Sequence, residues 1–350
     1  MMQIDTEEYF ARKGKVVLLD VRTPAEYQKG HIPGAINMPL FSDEERVIVG
    51  TTYKQKSPEK ALLVGLEMVG PKMRTMVEDA KRYAGDKPLV VHCWRGGKRS
   101  GSVGWLLSMA GMDVQTLKGG YKAYRQYVHQ SLGNLPHQLI KLSGHTGSRK
   151  TEILSALQDL GEQIVDLEGL ANHKGSAFGA MGLGPQPTTE QFENDLWEVF
   201  RGLNPDKHTW IEGESKSIGS VYLPDNFWHN IMCKIPEIEI NVPREIRIKH
   251  LMKTYGQFPI EDLKNSFNKI QKRLGGQHHK KAIEALDNGN IVEAAGISLV
   301  YYDKAYAYSR EKHARSNMRF LDVPDEGIEE AAKRILKFEK SQELNSLRAL

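Results

Sequence analysis

Short apolar runs alternate with helical periods along the first part of the chain. The runs that read as strands cover residues 16–21, 35–40, 89–92 and 114–117, and the helical patterns cover about 58–83 and 121–130. Strands that are separated by helices indicate a mostly parallel sheet. Residues 1–130 are therefore predicted to form an α/β domain with a parallel sheet.

A second series of apolar runs follows a short stretch rich in Gly, Pro and Asn. Thr188 and Gln191 have capping-box spacing before a helical pattern over 189–203. The predicted strands cover residues 138–142, 163–167, 209–212, 237–242 and 319–323. We expect a linker over 131–137, a second α/β domain over 138–325 that includes a basic helical segment over 243–312, and a C-terminal amphipathic helix over 326–350.

Length and composition agree with two domains in a reducing compartment. A chain of 350 residues exceeds what one hydrophobic core usually supports. It has two cysteines, no apolar run long enough to cross a bilayer and no signal-peptide pattern at its start, so we expect a cytoplasmic protein without membrane contact. Cys233 lies in an apolar segment that is typical of packing, and a disulfide with Cys93 is not expected.

The net charge of +4 is unevenly distributed. Between Arg244 and Lys281 there are ten Lys or Arg residues against three acidic residues, interleaved with aromatic and histidine rings. This pattern is typical of nucleic-acid binding, although a solvated helical face would have the same composition. The candidate RNA-binding residues are Arg244, Arg247, Lys249, Lys253, Lys272 and Arg273.

A cysteine follows the third apolar run and precedes a glycine turn and a helical pattern. Backbone N–H groups and a helix N-terminus converge in such a turn, so it binds an anion and favours thiolate over thiol. Cys93 is therefore a candidate nucleophile. The anion-loop candidates are Trp94, Arg95, Gly96, Gly97, Lys98, Arg99 and Ser100.

The segments 19–27 and 30–37, together with the Cys93 loop and Gly119-Gly120-Tyr121, resemble the rhodanese domain over roughly the first 130 residues. Asp20 and Arg22 are expected to form a buried ion pair that supports the cysteine loop. Five residues separate Cys93 from Arg99, whereas common rhodanese loops have four, and five is also the spacing of cysteine-dependent phosphatases. Cys93 could attack phosphorus or carry a chalcogen, and the spacing does not decide between them.

A second anion-binding motif directly follows the strand predicted at 138–142 and opens a helix. Its pattern is that of a P-loop, with Lys150 placed to reach a terminal phosphate and Thr151 to ligate Mg²⁺. Arg149 stands where the usual motif has its last glycine, which brings standard nucleotide geometry into question. The candidate diphosphate-binding residues are Gly144, Thr146, Gly147, Ser148, Arg149, Lys150 and Thr151. Glu212 and Glu214 occupy positions where a P-loop protein keeps its metal-orienting carboxylate.

The segment 166–179 is rich in glycine and small polar residues and follows the next strand, where ligands bind in such folds. Glu168, His173 and Ser176 are its candidate supporting residues. With this segment and the run 211–219, the chain resembles the tRNA 2-selenouridine synthase family over roughly residues 5–323.

The resemblance implies a two-step exchange at a wobble 2-thiouridine of tRNA. Geranyl diphosphate would alkylate the sulfur, and selenium from selenophosphate would then displace it, with Cys93 passing through an S-selanylcysteine. The implied partners are tRNA, held through its anticodon arm, and a supplier of selenophosphate; no resident metal or tightly bound cofactor is expected. The residues alone leave two other hypotheses, a cysteine-dependent phosphatase or sulfurtransferase with a regulatory P-loop domain and a non-catalytic RNA-binding module.

Overall fold

The computed structural model describes residues 2–312 and 317–341 and divides into two compact units. One unit contains residues 1–132 and 193–198, and the other contains residues 133–192 and 199–350. Both are built on five-stranded parallel sheets, which confirms the predicted α/β fold class.

The first unit has a sheet in the order β1-β5-β4-β2-β3. Its strands are β1 (Gln3–Ile4), β2 (Val17–Asp20), β3 (Ile36–Asn37), β4 (Leu89–His92) and β5 (Val114–Leu117). Its helices are α1 (Thr6–Ala11), α2 (Pro24–Lys29), α3 (Asp43–Gln55), α4 (Pro58–Val69), α5 (Met73–Ala84), α6 (Lys98–Met109) and α7 (Gly120–Leu132). The helical pattern predicted at 58–83 is two helices, because a 3₁₀ turn at Gly70–Lys72 contains Pro71.

The second unit has a sheet in the order β12-β11-β6-β8-β7. Its strands are β6 (Gln138–Gly144), β7 (Gln163–Val165), β8 (His208–Glu212), β11 (Glu237–Asn241) and β12 (Met318–Asp322). A separate hairpin, β9 (Ser217–Ile218) with β10 (Val221–Tyr222), was not predicted. The helices around this sheet are α8 (Lys150–Asp159), α9 (Leu167–Ala171), α10 (Thr189–Gly202), α11 (Asp225–Phe227), a π-helix at Trp228–Met232 and α17 (Ile328–Glu339).

The basic segment predicted over 243–312 is helical and consists of five helices. They are α12 (Arg244–Tyr255), α13 (Ile260–Lys269), α14 (Gln271–Leu274), α15 (Gly276–Asp287) and α16 (Ile291–Lys312). Their apolar faces form a core of their own, which includes Leu263, Phe267 and Leu286. A helical layer with a separate core is thus inserted between β11 and β12.

The C-terminal helix is shorter than the predicted 326–350. The structure places α17 at Ile328–Glu339, with Ala331, Ala332 and Ile335 buried against the sheet core. Residues 342–350 lie outside the described residues. Thr188 caps α10, since its side chain accepts a hydrogen bond from the Gln191 N–H, in line with the spacing of the two residues.

Candidate functional site

Cys93 lies directly after β4 and is almost fully buried, with 3% of its surface exposed. Its Sγ lies 3.3 Å from the Ser100 Oγ, and backbone N–H groups of Ser100 and Gly97 point at the sulfur. Burial raises the pKa of the Cys93 thiol, but these donors and the charge of Arg99 outweigh it and hold the pKa below its ordinary value. The loop therefore favours a thiolate.

The start of α7 holds this loop in place. The N–H groups of Tyr121 and Lys122 donate to the carbonyl oxygens of Cys93 and Trp94, both over 2.9 Å. Gly120 has a φ of +60°, and a Cβ there would lie 2.2 Å from the Cys93 carbonyl oxygen. Only glycine permits this close approach, which explains why Gly120 stands at this position of the chain.

Asp20 and Arg22 form a fully buried ion pair beside the loop. The Arg22 Nη2 also donates to the Gly30 carbonyl over 2.7 Å, and its guanidinium lies 3.8 Å from the centre of the Tyr121 ring. Burial raises the pKa of Asp20, but His92 and Arg22 lower it further, so the carboxylate stays charged. The pair connects β2, the end of α2 and α7, which is a structural arrangement.

The cations of the cysteine loop have different environments. Arg99 donates from both terminal nitrogens to the Glu26 carboxylate, over 2.6 and 3.1 Å. Arg95 and Lys98 are exposed, and Trp94 packs on Tyr121 with ring centres 5.7 Å apart. An anion at this loop would therefore meet backbone N–H groups and two exposed cations, while Arg99 already has a carboxylate partner.

The P-loop connects β6 to α8, as its sequence pattern predicts. Lys150 Nζ donates to the Gly144 carbonyl over 3.1 Å. Thr151 Oγ1 donates to Glu212 Oε1 over 2.9 Å and lies 3.1 Å from Glu168 Oε2. The ends of β6 and β8 and the start of α9 therefore meet at the Thr151 hydroxyl.

Arg149 takes a left-handed backbone conformation with a φ of +63°. Glycine adopts this conformation without strain, whereas a residue with a Cβ does so at a cost of about 1 kcal/mol. The Arg149 Nη1 donates to the Glu326 carbonyl over 3.2 Å. The substitution thus leaves a glycine-like turn in the loop, held by a contact with the segment before α17.

Three carboxylates surround the P-loop lysine. A Cβ at Gly175 would lie 2.6 Å from Glu214 Oε2 and 2.7 Å from Glu168 Oε1, so these side chains converge. Burial, followed by their mutual repulsion, raises the pKa of Glu168 and Glu214 to about 7 and that of Glu212 to about 8. Burial lowers the pKa of Lys150, but Tyr306 and the carboxylates raise it further, so the lysine stays charged.

These groups line a cleft of about 1550 Å³ in the second unit. The predicted residues that it brings together are Gly144, Thr146, Gly147, Ser148, Arg149, Lys150, Thr151, Glu168, His173, Ser176, Glu214, Lys272 and Arg273. Sequence reasoning did not assign Lys174, Tyr301, Tyr302 or Tyr306 to it. Lys174 lies in the predicted ligand-binding segment 166–179, and Tyr302 and Tyr306 have i, i+4 spacing on one helix.

The six candidate RNA-binding residues do not form one exposed surface. Lys249 and Lys253 are exposed on α12, and Lys272 and Arg273 are exposed on α14 at the cleft. Arg244 donates to the Gly296 carbonyl over 2.9 Å. Arg247 departs from the expectation, because only 6% of it is exposed and its guanidinium is bound by Asp303. A guanidinium that is buried and bound by a carboxylate is not accessible to an RNA phosphate at this position.

Within residues 2–312 and 317–341, no group of three or more His, Cys, Asp or Glu residues is arranged to hold a metal ion by itself. Mg²⁺ in phosphate sites commonly uses only one or two carboxylates beside the phosphate oxygens. The Thr151 hydroxyl with Glu212 fits this smaller donor set. None of the described helices is both long and apolar enough to cross a bilayer.

Comparison with known proteins matches two family models to this chain. The tRNA 2-selenouridine synthase AAA domain matches residues 137–333, and the rhodanese-like domain matches residues 7–127. The tRNA 2-selenouridine synthase of Sulfurovum sp. (strain NBC37-1) is 34% identical over 85% of this chain and 89% of the relative. That of Shewanella piezotolerans (strain WP3 / JCM 13877) is 36% identical over 85% and 89%.

Proposed function

Because this chain belongs to the tRNA 2-selenouridine synthase family, we propose that its two anion loops act in two successive reactions at the wobble 2-thiouridine of tRNA. The P-loop would bind geranyl diphosphate for alkylation of the sulfur, and the Cys93 loop would deliver selenium from selenophosphate. The observation that carries the proposal is the coexistence of two anion sites of different chemistry, one with a thiolate-favouring cysteine and one with Lys150 and Thr151.

In the first reaction the 2-thio sulfur attacks C1 of geranyl diphosphate. A sulfur–carbon bond forms, the carbon–oxygen bond breaks, and pyrophosphate leaves with the electron pair of that bond. Negative charge develops on the departing diphosphate, where the charged Lys150 and the amides of the P-loop can stabilise it. The uridine gives up its N3 proton to solvent or to one of the cleft carboxylates.

The carboxylates need a counter-charge when a diphosphate enters the cleft. Glu168, Glu212 and Glu214 together outnumber Lys150, and burial, followed by their mutual repulsion, raises their pKa values. Mg²⁺ held by Thr151 and Glu212 would neutralise both the carboxylates and the phosphate oxygens. The residues thereby position the diphosphate with its C1 carbon directed away from the loop.

In the second reaction the Cys93 thiolate attacks the phosphorus of selenophosphate. A sulfur–phosphorus bond forms, the phosphorus–selenium bond breaks, and hydroselenide is released with the electron pair. Hydroselenide adds at C2 of the modified uridine and expels geranyl thiolate, while water hydrolyses the phosphocysteine to phosphate. This sequence needs no oxidant, whereas an S-selanylcysteine formed from selenophosphate with release of phosphate would need a two-electron oxidant. The five-residue spacing from Cys93 to Arg99, which cysteine-dependent phosphatases share, is compatible with this attack.

tRNA would bind along the exposed cations beside the P-loop cleft. Lys272 and Arg273 on α14 are exposed and line the cleft, and Lys249 and Lys253 extend the positive charge along α12. The chemistry further requires a reaction that makes selenophosphate. A tRNA substrate would also favour a cytoplasmic location for the enzyme.

The experiment is mass analysis of nucleosides from a 2-thiouridine-containing tRNA incubated with the purified chain. Geranyl diphosphate alone should give S-geranyl-2-thiouridine, and both donors should give 2-selenouridine. Selenophosphate alone should leave 2-thiouridine unchanged. Formation of 2-selenouridine without geranyl diphosphate would refute the order of the two reactions.

A further inference from the structure

A second, apolar cavity adjoins the P-loop cleft within the helical layer. Its volume is about 40 Å³. Thr146, Ser176, Leu251, Tyr255 and Tyr302 line both the cleft and this cavity. The remaining lining is Phe178, Met252, Leu263, Phe267, Leu286, Ile291, Ala294, Ala295 and Ser298. The cavity is therefore polar where it meets the P-loop cleft and apolar beyond that point.

The inner wall belongs to the core of the helical layer. Leu286 is fully buried, Leu263, Phe267 and Ala294 are almost fully buried, and Phe178 meets Phe267 edge-on with ring centres 5.1 Å apart. Protein cores are close-packed, and an empty cavity of this size costs roughly 1 kcal/mol. The wall is thus built from well-ordered aliphatic and aromatic side chains that offer a ligand no charge.

A ring of hydroxyl groups separates the cavity from the cleft. The Tyr302 hydroxyl accepts the Ala177 N–H over 3.0 Å, and the hydroxyls of Tyr255 and Tyr302 both hydrogen-bond Ser176. Burial raises the pKa of both tyrosines to about 12, so these groups remain neutral. A phosphate bound near Thr146 would be excluded from the apolar side, whereas a hydrocarbon chain attached to it would not.

We propose that this cavity, called the tail pocket below, binds the distal end of the hydrocarbon chain of an allylic diphosphate whose diphosphate lies on the P-loop. The inference rests on the proposed function and adds a chain-length selection to it. A cavity of about 40 Å³ holds about three water-sized spheres, which suits the end of a chain but not all of it. The first part of the chain then lies along the cleft, where the sulfur must reach C1.

The test measures binding of three probes to the full chain by calorimetry in the presence of Mg²⁺. Geranyl diphosphate should bind at least tenfold more tightly than dimethylallyl diphosphate, and inorganic pyrophosphate should bind most weakly. Ala294→Leu places extra carbons in the tail pocket and should remove the preference for the longer chain. Pyrophosphate affinity should stay within twofold of the wild-type value. Val292→Phe adds bulk at an exposed position of the same helix and is the matched control.

A second variant tests the pocket in the opposite direction. Leu263→Ala enlarges it and should increase the use of farnesyl diphosphate relative to geranyl diphosphate by about tenfold, measured as alkylated nucleoside. This result does not depend on whether Ala294→Leu folds. If the wild-type chain alkylates tRNA but Leu263→Ala leaves the chain-length ratio unchanged, the tail pocket is refuted and the function stands. If the wild-type chain alkylates tRNA with none of the diphosphates, the proposed function itself is refuted.

Discussion

Arg247 and Asp303 bind each other through two hydrogen bonds of 2.8 Å, one from each terminal guanidinium nitrogen. Asp303 Oδ1 also lies 2.8 Å from His145 Nδ1, and Arg247 donates to the Thr146 carbonyl over 3.3 Å. Two residues of the P-loop are therefore tied to α12 and α16 through this pair. These hydrogen bonds therefore connect the helical layer directly to the P-loop.

Replacement of Arg247 should disturb the P-loop. Arg247→Ala removes the guanidinium donors from Asp303, which keeps its partner His145, and from the Thr146 carbonyl, so we expect the free energy of unfolding to fall by about 1–3 kcal/mol. Pyrophosphate affinity should fall as well. Lys249→Ala on the exposed side of the same helix should stay within about 0.5 kcal/mol of the wild type. Urea denaturation measures both variants, and equal stability of the two would contradict the account.

Lys272 and Arg273, which are exposed on α14, should account for part of the salt dependence of tRNA binding. Each phosphate contact contributes roughly 0.7 to 0.9 log units of affinity per log unit of salt. Lys272→Ala with Arg273→Ala should weaken binding and reduce that slope by about one to two. The double variant Lys337→Ala, Lys340→Ala at the C-terminal end of α17 removes the same charge and should leave the slope unchanged. Equal slopes in the two double variants would place tRNA elsewhere.

Arg149 offers a matched test of backbone strain in the P-loop. Arg149→Ala and Arg149→Gly both lose the hydrogen bond to the Glu326 carbonyl, but only glycine relieves the left-handed conformation. The glycine variant should therefore be more stable than the alanine variant by about 0.5–1 kcal/mol. Thermal unfolding of the two proteins side by side measures this difference. A more stable alanine variant would show that the backbone at this position is not left-handed in solution.

The carboxylates of the cleft should make stability depend on pH. The pKa of Glu214 rises from about 4.5 to about 7 on folding, so the folded state binds more protons than the unfolded state between these values. The stability that this group contributes to the folded state is thus fully present below about pH 4.5 and is lost as the pH rises through 7. Glu214→Gln removes the titrating carboxyl group. The decrease in the free energy of unfolding between pH 5 and 8 should therefore be about 1–3 kcal/mol smaller in this variant than in the wild type. Urea titrations with a chelator present give the slopes, and identical slopes would refute the raised pKa.

Local motifs predicted much of the fold and the core of the site. Cys93 begins a glycine turn after β4, and Lys150 follows the glycine turn after β6 as the first residue of α8, so both turns have the predicted strand-loop-helix context. Glu212 was predicted from its position at a strand end, where it meets the Thr151 hydroxyl. Site residues of this kind can be predicted from the sequence because the strands that precede them fix their positions.

Features that depend on residues far apart in the sequence could not be predicted from local motifs. The burial of Arg247 follows from Asp303, 56 positions further along the chain, so composition alone suggested a surface cation. The two-residue strand β1 pairs with β5 through residues more than a hundred positions apart and has no periodicity of its own. The tail pocket is formed by residues from four helices together with Thr146, Ser176 and Phe178, and no single segment of the sequence marks it.

The central claim is that the P-loop serves the alkylation and the Cys93 loop serves the selenium transfer. One comparison of nucleosides tests this claim most directly. tRNA incubated with both donors is digested and analysed by mass spectrometry for the Lys150→Ala, Cys93→Ala and Cys233→Ala variants. We predict unmodified 2-thiouridine for Lys150→Ala, accumulated S-geranyl-2-thiouridine for Cys93→Ala, and wild-type 2-selenouridine for Cys233→Ala. If the Lys150 and Cys93 variants both stop at 2-thiouridine, or if Cys93→Ala still forms 2-selenouridine, the assignment of one reaction to each loop is contradicted.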